Sequence, residues 1–157
     1  MSAALLTAVF VSIGGVGIAA YLGIAGTGEA MLARHITIGI FSTMMILLSH
    51  SMMMFYLIGK GRAVREAARE GGLSGEYEAR IALLRKPVFS IATLAMVLTM
   101  IAAIIGASVD TGVLPPAAHA VLAYSCLAVN LGALRVEIAA LTESGRIVSE
   151  VNRLLNV

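Results

Sequence analysis

Polar and apolar positions along the chain fall into long blocks, not short alternations. Four apolar runs, at about residues 5–25, 35–58, 88–109 and 117–141, are separated by polar stretches. Crossing a hydrocarbon layer of about 30 Å takes about 20 residues of helix, so each run is long enough to be a transmembrane span. No segment alternates at period two, the pattern a membrane barrel strand requires. The expected fold is therefore an all-α integral membrane protein of four transmembrane helices.

Two of the runs continue as patterned helices. After the second, Arg62, Glu66 and Arg69 recur at i, i+4 and i+7, on one helical face, where the Glu can pair with either Arg. After the fourth, Leu141, Val148 and Leu155 recur at seven, flanked by Ile147, Val151 and Leu154, which makes an amphipathic stripe. Helices 2 and 4 are thus expected to extend into the cytoplasm. Gly71-Gly72 ends the first extension, and Ser74 is placed to cap a separate connecting helix over residues 74–86. Pro87 marks its join to the third span.

Self-similarity organises these blocks. At an offset of 84 positions, Thr27-Gly28 falls on Thr111-Gly112 and His35 on His119. The string Gly61-Arg62-x-Val64-x-Glu66-x-x-Arg69 falls on Gly145-Arg146-x-Val148-x-Glu150-x-x-Arg153. Apolar coincidences carry little weight in so hydrophobic a chain, whereas these residue types are scarce. The expectation is a single membrane domain of two tandem hairpins, repeat 1 over 1–73 and repeat 2 over 85–157. Two hairpins of the same orientation imply a pseudo-twofold axis along the membrane normal, with helices 2 and 4 facing each other.

Composition sharpens the class. The 157 residues are 59% hydrophobic and 13% charged, against about 45–50% and 25% in soluble domains. The surplus apolar surface has to meet lipid. Residues 1–25 lack a basic leader and exceed a signal peptide's apolar core, so they are expected to be the first span. Cations set the orientation. Lys60, Arg62, Arg65, Arg69, Arg80, Arg85 and Lys86 lie between spans two and three, and Arg146 and Arg153 follow span four. Only Arg34 lies on the other side, so both termini are expected in the cytoplasm of a bacterial-type inner membrane. A net charge of +2 spread in this way gives no case for nucleic acid. The single Cys126 cannot form an internal disulfide.

Candidate chemistry rests on three histidines. His35 and His119 occupy equivalent places near the outer ends of the facing helices, where two imidazoles can share a metal. The fitting cofactor is a haem b with both as axial ligands, each ring anchored through its second nitrogen. The plain alternative is that each meets headgroups or water in the first turn of its span. His50 follows His35 by fifteen residues, about 22 Å along the helix and on roughly the same face. This resembles the paired-histidine helices of the cytochrome b family, where two facing helices each carry two ligands. The resemblance covers helices 2 and 4 only and departs at Leu134, the position matching His50. It therefore does not imply a second bis-histidine haem.

His50, Arg135 and Glu137 share a level in the membrane and form a possible polar cluster for a quinone headgroup, a proton or an anion. Snorkelling of Arg135 is the plain alternative. Asn130 is expected to bond across to Ser42, Thr43 or Ser49. The methionines and the glycines of span one (Gly14, Gly15, Gly17, Gly23, Gly26) read as packing residues. No phosphate loop, dinucleotide fingerprint, CxxC or HExxH occurs, so an enzyme acting alone is not expected. Three functions stay open. One is a haem b electron-transfer subunit. Another is a cofactor-free anchor that joins a homo-oligomer or other subunits through its cytoplasmic helices. The last is a small transporter or channel using His50, Arg135 and Glu137.

Overall fold

The computed structural model describes residues 2–156 and is all-helical. Helix α1 spans Ser2–Ala25, α2 Glu29–Glu70, α3 Glu76–Asp110 and α4 Pro116–Leu154. All four are long and apolar enough to cross a membrane. At 1.5 Å per residue, the 24 residues of α1 reach about 36 Å and the 42 of α2 about 63 Å. The excess length of α2, α3 and α4 projects from one end, the one that carries the lysines and most arginines.

Helices α1 and α2 form one hairpin and α3 and α4 the other. Helix α2 also packs against α3 and α4, whereas α1 meets α4 but not α3. The α2–α4 line is therefore the short diagonal of the bundle, and side chains facing along it are removed from the surroundings. Glycines make the turns. Gly28 (φ 85°), Gly72 (φ 66°) and Gly112 (φ 75°) adopt the left-handed conformation that costs a side chain about 1–2 kcal/mol.

Two apolar clusters hold the basic end. Leu5, Met53, Leu57, Val88 and Leu141 close the bundle at the level of the N-terminus. Beyond it, Val64, Tyr77, Ile81, Ile147 and Val151 join the projecting parts of α2, α3 and α4. The expected amphipathic stripe of α4 thus packs inside the chain, with Val148 and Leu155 against this cluster. Ion pairs trim its surface: Arg80 meets Glu150 at 2.8 Å and Glu143 at 3.5 Å, and Arg65 meets Glu78 at 3.3 Å. Glu66 joins neither Arg62 nor Arg69, and all three are exposed. The connecting helix expected over 74–86 is not separate: α3 begins at Glu76 and runs through Pro87 to Asp110. Ser74 makes no side-chain cap, and Gly75 stands at the helix start.

Candidate functional site

Two groups of side chains lie along the α2–α4 diagonal. The first is near the end opposite the cations. His35 stands two turns into α2 and His119 in the first turn of α4. Their rings meet edge to face, centroids 5.9 Å apart and planes at 83°. Each ring lies over a glycine of its own hairpin. A Cβ built on Gly23 would come 3.0 Å from His35 Cε1, and one built on Gly106 would come 3.0 Å from His119 Cε1. Both rings are half-buried.

The His35 tautomer follows from its partner. Nδ1 lies 2.8 Å from the Ala19 carbonyl oxygen, which can only accept, so Nδ1–H donates and Nε2 keeps its lone pair. The Ala102 carbonyl lies beside the His119 ring in the same way. There the buried Nδ1 falls short of bonding geometry and has no partner. Two imidazoles bound to one metal at about 2.1 Å have centroids roughly 5–6.5 Å apart, from a bent to a linear arrangement. The observed separation falls between those two arrangements, nearer the linear one. Among the described residues no third His, Cys, Asp or Glu joins the pair.

The second group lies deeper. His50 and Glu137 are fully buried, with Nδ1 to Oε1 2.6 Å apart. His50 Nε2 is 3.0 Å from Asn130 Oδ1. Asn130 Nδ2 donates to the Cys126 carbonyl at 2.9 Å and toward Thr99 Oγ1 at 3.3 Å, which fixes its amide with the oxygen toward the histidine. Thr99 Oγ1 in turn lies 3.0 Å from Cys126 Sγ. Glu137 Oε2 is buried without a partner. On the α1 side, buried Ser12 and Ser49 hydroxyls are 3.4 Å apart.

The structure brings His50 together with Glu137 and leaves Arg135 exposed on the outside of α4. Helix geometry requires this, because residues two apart point about 200° from one another. The residue that completes the group is Asn130, seven before Glu137 and so on the same face of α4. Its partners are His50 and Thr99, not Ser42, Thr43 or Ser49. That spacing was a legible signal; the identity of the partners required the neighbouring helices. Ser42 instead fills the space above Gly15, where a Cβ would collide with its hydroxyl. Gly14 and Gly17 have open space around them.

Comparison with protein-family models, with curated proteins and with solved structures gives no match.

Proposed function

We propose that this chain is a small multi-pass membrane subunit for electron transfer that holds one haem b between His35 and His119. The spacing of the two imidazoles carries the proposal. His35 would ligate through Nε2, since its Nδ1–H is committed to the Ala19 carbonyl. His119 would ligate through Nε2 as well, its Nδ1 lying toward the Ala102 carbonyl without a bond to it. A bare metal ion would need further protein ligands, which the neighbourhood lacks, whereas a porphyrin brings its own nitrogens. Such a group would supply reversible one-electron chemistry at the outer side of the membrane. The protein's part is to orient two rings, anchor one and keep water from the inner half of the bundle.

A duplicated hairpin supports the same picture. Buried positions recur at 84 residues along α2 and α4: Ser42 with Cys126, Ile46 with Asn130, Ser49 with Ala133, His50 with Leu134, Met53 with Glu137 and Leu57 with Leu141. Along α1 and α3 the period is 83: Leu5 with Val88, Val9 with Ala92, Ser12 with Ala95 and Ala19 with Ala102. Gly23 and Gly106 obey that second period, so the second hairpin holds one residue more between its glycine and its histidine. Two matching half-sites then meet on a pseudo-twofold axis. We take the basic end to be cytoplasmic, by the positive-inside rule, in an inner membrane of bacterial type. Other membrane subunits or a second copy would take the electron onward.

The test is a visible spectrum of detergent-purified protein expressed with haem supply. A Soret band with a reduced α-band is expected, lost in both His35→Ala and His119→Ala. A purified, helical protein without those bands overturns the proposal.

A further inference from the structure

A second feature goes beyond electron transfer and does not depend on haem. We propose that the buried His50–Glu137 pair is a proton-binding site, which gains and loses a proton at the Glu137 side.

The hydrogen-bond pattern allows the protons to be placed. The Cys126 carbonyl can only accept, so Asn130 must direct its NH2 there and its Oδ1 toward His50. His50 Nε2 therefore carries hydrogen and donates. Between Nδ1 and Glu137 Oε1, 2.6 Å apart, one proton is shared. Whether drawn on nitrogen or on oxygen, the pair is then neutral overall, and its protons titrate as a property of the pair. Binding one more proton forms an O–H bond at Glu137 Oε2 and leaves an imidazolium beside a carboxylic acid. Losing the shared proton leaves a neutral imidazole beside a carboxylate. Oε2 is free for the first change, being buried and unpartnered. The Nε2 side is closed by an amide that cannot pass a proton without giving up its own bonds.

Packing does not call for these residues. The positions 84 residues away from His50, Asn130 and Glu137 hold Leu134, Ile46 and Met53, all buried. The same frame thus accepts apolar side chains at each place. Burying a fixed ion pair is often no more stabilising than an apolar replacement of similar volume. Ionisable groups inside membrane spans are costly and face the bundle interior where they serve a function.

The surroundings isolate the pair. The buried Leu5, Val9 and Ser12 of α1 and Val88, Ala92 and Thr99 of α3 hold no group that titrates at ordinary pH. On the His50 side the Cys126 thiol lies behind Asn130 and is bonded to Thr99, and Arg135, two residues from Glu137, is exposed on the outside of α4. Toward the basic end, Met53, Leu57 and Leu141 separate Glu137 from Ser144, on which Lys60 Nζ closes at 3.4 Å. That apolar layer is thin, about two helical turns between Glu137 and Ser144. Proton exchange would run through it when it hydrates.

Infrared difference spectra of the intact protein in lipid nanodiscs, recorded between acid and alkaline pH, test this. Among the carboxyl bands that appear on acidification, one per chain should be missing from Glu137→Gln, the other Asp and Glu bands remaining. In parallel, 15N-histidine spectra of unsubstituted protein should show the His50 ring changing with pH, identified by its survival in His35→Ala/His119→Ala. The second measurement stands even where Glu137→Gln fails to fold. A carboxyl band that never changes, or a His50 signal invariant over the whole range in which the protein stays folded, overturns the proposal. Neither outcome bears on haem binding, which absorbance reports separately.

Discussion

Gly106 lies so close beneath His119 that a Cβ there would stand 3.0 Å from ring carbon Cε1 and 3.4 Å from Nδ1. The ring is held by a neighbour's lack of a side chain, and Gly23 does the same for His35.

Gly106→Ala should push the His119 ring a few tenths of an ångström out of line. In the proposed haem site a misplaced ligand weakens coordination, so Soret absorbance per chain should fall several-fold while helical circular dichroism is unchanged. Gly17→Ala, which adds its methyl to open space, is the control and should leave the spectrum as it is.

Breaking the buried pair should cost far more than removing it. His50→Leu alone strands the Glu137 carboxyl, and Glu137→Met alone strands His50 Nδ1, at about 3–5 kcal/mol each. The double substitution, which installs the residue types found 84 positions away, leaves only Asn130 Oδ1 without its partner and should come out within about 1–3 kcal/mol of the parent. Denaturant titrations in detergent measure all three. A double variant as unstable as the sum of the singles would show that the polar pair is needed for packing.

At the projecting tip, Ile147 is fully buried whereas Leu154 is about half exposed. Ile147→Ala should lose about 2–5 kcal/mol through the cavity it leaves, and Leu154→Ala should stay within about 0.5 kcal/mol. Protease susceptibility of residues 142–154 follows the same order. A tip that gains its order from a partner would instead respond to Leu154 and tolerate Ile147.

Arg80 should contribute a small, salt-sensitive increment. Its guanidinium is held above its ordinary range, chiefly by the hydrogen bond to Glu150 and also by Glu143. A raised basic group stabilises the fold at every pH below its unfolded value and loses that contribution only as pH rises through the folded one. On the arginine side the effect is therefore flat from neutral to strongly alkaline pH. Arg80→Ala should lower the melting temperature slightly in dilute buffer. In about 1 M salt, where screening acts within about 3 Å, the difference should shrink.

How far residue order alone reached is clear from particular elements. The four helices were legible because lipid demands about 20 apolar residues per span, a constraint local to each segment. The helix end at Gly71-Gly72 and the apolar stripe of α4 were legible too, since each arises from near neighbours in the chain. The placing of His35 and His119 on facing helices followed from an offset that needs no coordinates.

Other features depended on distance between helices. That α3 continues through Pro87 depends on packing at the tip, where Tyr77 and Ile81 bury against α2 and α4 and hold the helix against the proline's preference to end it. The tautomer of His35 came from a carbonyl sixteen residues away on another helix. The polar group needed three helices at once: α2 for His50, α4 for Asn130 and Glu137, and α3 for Thr99. Hydrogen bonds act over about 3 Å, and a linear pattern reports which face a residue occupies but not what lies opposite it. Helical geometry alone could have excluded Arg135, because a residue two positions from a buried Glu137 must point the other way.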